Sequence, residues 1–194
     1  MCESIVLSGL DKDHAASLEM LFNALKITTS KIVAKNNTIN CKQISKFKLS
    51  MNEYRILKEL ANVKVDLGLL QEVAEIHTAV ITSLENQETL HDIKKKLLPT
   101  SYFNLSNLLL RQEAYNEALS ISEQGLIFSR QYKEFKLLGE LQCNMGIASQ
   151  CLGDTKQAKL LLSQSYNTFI SCGEDKLACL LKKAVKERYD IDIE

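Results

Sequence analysis

The chain has one proline and no tryptophan in 194 residues, only seven glycines, and no net charge, with 24 lysines and arginines against 24 aspartates and glutamates. Each scarcity excludes something. Few residues here interrupt a helix, and Leu and Lys are the commonest residues, so the composition predicts an all-α protein. The charge balance removes the overall basic excess of a nucleic-acid-binding domain. No apolar run approaches the roughly 18 residues that a membrane span needs. The start, Met1-Cys-Glu-Ser-Ile-Val-Leu-Ser-Gly-Leu10, lacks the basic leader of a secretory signal. A cytoplasmic protein without membrane contact is expected.

Chemistry-bearing constellations are also missing. Cys2, Cys41, Cys143, Cys151, Cys172 and Cys179 include no Cys-x-x-Cys pair and no flanking histidine, so neither a metal nor another cofactor is predicted. Cys143, Cys151 and Cys179 lie in helical, partly apolar contexts and read as small core residues. His14, His77 and His91 fall in three separate segments, with no nucleophile elbow and no phosphate-cradling glycine loop, and no enzyme is expected. The densest basic run, Lys94-Lys-Lys96, reads as a solvated helix end.

What is present is repetition. Tyr102-Phe-Asn-Leu-Ser-Asn-Leu-Leu-Leu-Arg-Gln-Glu-Ala-Tyr-Asn-Glu-Ala118 aligns with Gln142-Cys-Asn-Met-Gly-Ile-Ala-Ser-Gln-Cys-Leu-Gly-Asp-Thr-Lys-Gln-Ala158. Leu105 lies over Met145, Ser106 over Gly146, Tyr115 over Thr155 and Ala118 over Ala158. A third copy runs from Leu57 to Val73, with Ala61 as its small residue and Gly68 at its turn. Units of this size form stacked helical hairpins, because a lone hairpin cannot bury its apolar face.

Taken in order, residues 11–27 read as an amphipathic helix on Leu18, Leu21, Phe22 and Leu25. Residues 28–47 mix β-branched residues with amides, and Lys35-Asn-Asn-Thr-Ile-Asn40 is turn-like. Ser50 and Glu53 have the spacing of a capping box, opening a helix that stops at Gly68. A partner helix covers 70–85, with Val73, Ile76, Ala79, Val80 and Leu84 as its buried stripe and His77 packed or solvated beside them. A short helix is expected over 87–96, set apart by Pro99 from helices at 100–112, 115–130, 134–152, 155–171 and 175–188. Two regions follow: 1–49, an N-terminal helix and irregular connection or a degenerate first repeat, and 50–194, a helical repeat domain closed by a capping helix.

The small and turn positions resemble the tetratricopeptide repeat, with Gly146, Gly153 and Ala158 in one copy and Ser106, Glu113 and Ala118 in the other. The fold implied is a right-handed α-α superhelix. Tyr115-Asn-Glu-Ala-Leu-Ser-Ile-Ser-Glu-Gln-Gly-Leu-Ile127, Leu152-Gly-Asp-Thr-Lys-Gln-Ala-Lys-Leu-Leu-Leu162 and the ending Glu187-Arg-Tyr-Asp-Ile-Asp-Ile193 are similar to the C-terminal domain of XRE-type helix-turn-helix regulators of Gram-positive bacteria. That resemblance implies a homodimer that senses a short signalling peptide in its concave groove. No helix-turn-helix precedes the first clear repeat. The expectation is a regulatory part without its DNA-binding domain, or alternatively a stand-alone protein–protein adaptor. Direct nucleic-acid contact is not expected.

In such a stack the first helices of the hairpins line the concave face. The repeat register then places Arg55, Lys58, Asn62 and Asp66 there from one unit. Phe103, Asn104, Asn107 and Arg111 come from the next, and Cys143, Asn144, Ile147 and Gln150 from the last. An asparagine both donates and accepts, so a row of them suits a peptide backbone of any sequence. Arg55, Lys58 or Arg111 would take a carboxylate end. Lys58, Asn62 and Asn104 match part of the carboxylate clamp of chaperone-binding repeats, but Glu140 and Asn144 stand where that clamp has basic residues.

Overall fold

The computed structural model of the chain describes residues 13–34, 38–86 and 91–193. Among them are nine α-helices and no strand, only a lone bridge between Val33 and Ile39, so the all-α expectation holds. The chain divides into two compact units, residues 1–83 and 84–194.

In the first unit, α1 (His14–Thr29) buries Phe22 and Leu25 and packs on α3 (Met51–Asp66). Residues 11 and 12 of the expected first helix lie outside the described residues. A single 3-10 turn, Ser30–Ile32, and the four-residue α2, Cys41–Ile44, occupy the stretch rich in amides. Asn40 N donates to Ile32 O at 2.8 Å and Ala34 N to Thr38 O at 2.9 Å, which folds this stretch back on itself and buries Ile32 and Ile44. The capping box forms as its spacing predicts. Glu53 N donates to Ser50 Oγ at 3.4 Å, and Ser50 N to Glu53 Oε2 at 2.5 Å. α4 (Leu70–Glu85) buries the predicted stripe together with His77. Ser83 Oγ donates to Phe47 O, so the Tyr54 hydroxyl, 3.0 Å away, donates to Ser83.

The second unit consists of α5 (His91–Arg111), α6 (Tyr115–Tyr132), α7 (Phe135–Cys151), α8 (Thr155–Ser171) and α9 (Asp175–Tyr189). Each packs against the next, and α5 also meets α7. The expected break at Pro99 does not occur. One 21-residue helix runs through it, and Leu98, Tyr102 and Leu105 stay buried around the proline. Residues 87–90 of the expected short helix lie outside the described residues. An interior proline costs a helix roughly 3 kcal/mol; here a continuous buried face outweighs that local penalty.

The hairpins share a backbone device that the sequence shows only in part. At each of five helix ends an N–H donates to the carbonyl five residues back at 2.9 Å: Leu69 to Lys64, Ala114 to Leu109, Glu134 to Ser129, Asp154 to Ser149 and Glu174 to Phe169. This is the 6→1 bond of a Schellman motif, whose penultimate residue is left-handed. Gly68, Gly153 and Gly173 fill that place in three turns, while Glu113 and Lys133 fill it in the other two with φ of 60° each.

Close packing explains the mid-helix small residues. A Cβ built on Gly146 would lie 2.6 Å from Leu162 Cγ. Ser106, its counterpart, is fully buried and bonds Ser122 Oγ at 2.5 Å. The expected core role of the cysteines needs correction: Cys143 is half-buried, but Cys151 and Cys179 are exposed. The last lies on the outer side of α9, and Cys151 ends α7 at an open turn.

Candidate functional site

Tight turns make successive helices antiparallel, so α5, α7 and α9 run the same way and their side chains share one face. Between them lies a groove of about 340 Å³. Phe103 and Asn107 come from α5; Glu140, Cys143, Asn144 and Ile147 from α7; Leu177, Leu180, Leu181, Ala184, Val185 and Arg188 from α9. Phe169 and Tyr189 complete it. A mostly apolar groove with a few fixed polar groups has the make-up of a ligand site.

The polar groups differ in freedom. Asn144 is buried and its Nδ2 donates to Ser106 Oγ at 2.9 Å, which leaves its amide oxygen as the acceptor for the groove. Asn107 is exposed and offers both functions. Burial raises the Glu140 carboxyl pKa above the usual carboxylate range, with Lys136 opposing and Glu174 adding to it. Lys136 is itself paired with Glu174 at 2.9 Å. Burial, reinforced by Glu140, pushes the Cys143 thiol up to about 12, so this cysteine stays a neutral, weakly polar lining group.

Of the residues placed on the concave face from sequence, Phe103, Asn107, Cys143, Asn144 and Ile147 come together in the groove. Asn104, Arg111 and Gln150 stand on the same helices but are not among its lining residues. Among the described residues, the buried amide oxygen of Gln150 has no hydrogen-bond partner. Arg55, Lys58, Asn62 and Asp66 lie exposed on α3 in the first unit, where Asn62 Nδ2 is 3.2 Å from Glu59 Oε2.

Sequence reasoning missed the α9 wall by assigning that helix wholly to capping. The signal was the width of its apolar stripe. Ala178, Leu181 and Val185 suffice to pack α9, being buried, whereas Leu180 is 63% exposed and Ala184 is also exposed. No described helix is long and apolar enough to cross a membrane, and the described residues hold no group of three or more His, Cys, Asp or Glu able to bind a metal.

The family model for the RNPP family C-terminal domain matches residues 17–169. The chain belongs to this family. Its members are peptide-sensing, tetratricopeptide-like regulators of Gram-positive bacteria, as the resemblance in the sequence implied. The matched span takes in all of α3 to α7 and reaches Phe169 in α8, so the α9 wall lies beyond it. No curated protein sequence matches the chain.

Proposed function

We propose that the chain is the non-enzymatic sensing and dimerising part of a transcription regulator, acting without a cofactor, and that the groove of the second unit holds a short extended peptide. The observation that carries this reading is the pairing of two unlike walls. Leu180 and Ala184 expose apolar surface along one side. On the other, Asn144 has its amide oriented by Ser106, and Asn107 stands open. The amides would pair with backbone N–H and C=O groups whatever the sequence, while Phe103, Ile147 and Leu177 select side chains by fit.

Asn104, Arg111 and Gln150 extend the same proposal along α5 and α7. Arg55, Lys58 and Asn62 are proposed as a separate polar contact surface of the first unit. Signalling would follow from population shift, the bound peptide favouring one arrangement of the helices and so one arrangement of attached or partner DNA-binding domains.

Native mass spectrometry of the chain purified from its own cell extract tests this. A dimer retaining a peptide of several residues is expected. Leu180→Asp, on an exposed side chain that the fold does not need, should lose that mass, and Asn107→Ala should weaken its retention. A bare monomer that captures one folded protein instead would leave the adaptor reading.

A further inference from the structure

The helix α1 carries two apolar faces, and the first unit uses one of them. Phe22 and Leu25 are buried, with Leu18 and Leu21 half-buried beside them. On the other side Met20 is 69% and Ile27 86% exposed, the highest values for large apolar side chains among the described residues. Ala16, Met20, Asn23 and Ile27 follow one another at steps of four, three and four, which is the spacing of a coiled-coil seam. A shallow depression of about 500 Å³ runs along this seam and is lined by α1 alone, through Ala16, Glu19, Met20, Asn23, Ala24 and Ile27. No other described element covers it. Single exposed apolar residues are ordinary on a protein surface, but a seam of them marks an interaction site.

We propose that the seam is occupied by α1 of a second copy of the chain, laid antiparallel across a two-fold axis. This rests on the dimerising part of the function proposed above and names its interface. Charge selects the occupant first. Glu19 and Lys26 immediately precede Met20 and Ile27, seven residues apart, and so stand on the same edge of the seam. Neither has an ion pair among the described residues. An antiparallel copy sets each Glu19 against Lys26 of the other chain, and the two-fold symmetry makes the pair twice. A parallel copy sets Glu19 against Ala24 and leaves it unpaired. Size selects the same register. Antiparallel, Ala16 faces Ile27 and Met20 faces Asn23, so each large side chain meets a smaller one, whereas a parallel copy sets Ala16 on Ala16 and leaves a gap. The two Asn23 amides then lie within one helical turn of each other about the axis, where each both donates and accepts. One 16-residue helix from each chain offers less than the roughly 800 Å² per partner of a standard interface, so the dimer should dissociate on dilution through the micromolar range.

Sedimentation equilibrium of the full chain over a range of concentrations tests the proposal. The parent should pass from dimer to monomer on dilution. Met20→Asp with Ile27→Asp should raise the dissociation constant about 100-fold or more. Ile127→Asp with Leu160→Asp, at exposed apolar residues of the second unit, should leave it unchanged. Circular dichroism establishes that both double variants keep their helices. Glu19→Lys alone or Lys26→Glu alone turns both attractive pairs repulsive and should weaken the dimer about tenfold, while the two together should restore it. A dimer that survives Met20→Asp with Ile27→Asp would overturn the proposal and leave dimerisation to another surface. Failure of the joint charge reversal to restore what either reversal lost would overturn the antiparallel pairing and the proposal with it. A parent that stays monomeric throughout would overturn both the proposal and the dimerising part of the reading on which it rests.

Discussion

Glu113 and Lys133 hold the left-handed conformation that Gly68, Gly153 and Gly173 hold in the other turns. A side chain there costs on the order of 1 kcal/mol, which the surrounding hairpin packing sustains. Glu113→Gly and Lys133→Gly should therefore each raise stability by about 0.5–1 kcal/mol in urea unfolding, the relief of strain exceeding the added freedom of the unfolded chain. Gly146 is the opposite case, because its place is set by contact and not by φ. Gly146→Ala puts a methyl group 2.6 Å from Leu162 Cγ and 3.3 Å from Ala158 O, and should destabilise by about 1–3 kcal/mol through overpacking. A stability equal to or above that of the parent would show that α7 and α8 do not approach as closely as described.

At the scale of elements, burial on the inner face of α4 fixes the protonation of His77. Burial first, and Lys58 second, lower its pKa from the ordinary 6.5 to about 4. Between those values the unfolded chain binds the proton and the folded one does not, so stability is complete above pH 6.5 and falls as pH drops toward 4. The interval corresponds to about 3 kcal/mol. A His77→Gln variant should show a flatter stability curve across it. Pro99 bears on α5 in another way, through a missing donor in the middle of a helix. Pro99→Ala restores the N–H, and thermal unfolding should rise by the equivalent of about 1 kcal/mol, the cost of an interior proline less the packing of its buried ring. A lowered transition would mean that the ring's contacts outweigh the restored bond.

For the whole molecule, thiol exposure provides a check on the placement of every described helix that carries a cysteine. Cys151, Cys172 and Cys179 are exposed, while Cys41 and Cys143 are half-buried, with pKa values pushed by burial to about 11 and about 12. The thiolate is the reacting form. At neutral pH a thiol reagent should modify the first three quickly and the other two slowly, as read site by site from peptide masses. Rapid labelling of Cys143 would contradict the closed side of the groove. On the proposed function, a peptide held in the groove should slow Cys143 further without affecting Cys172.

The all-α class, the capping box at Ser50 and Glu53, the glycine turns and the repeat register follow from the sequence alone, because each depends on residues no more than a few turns of helix apart. The register also named five groove residues, since side-chain direction along a helix has a fixed period. Other features needed the tertiary structure. Pro99 continues a helix because Leu98, Tyr102 and Leu105 are buried together, and Glu113 turns left-handed because the hairpin closes around it. The apolar stripe of α9 proves wide enough to pack one neighbour and still wall a groove, while Cys151 and Cys179 face outward. These outcomes are settled by contacts between segments distant in sequence, where the free energy of burial outweighs local preference.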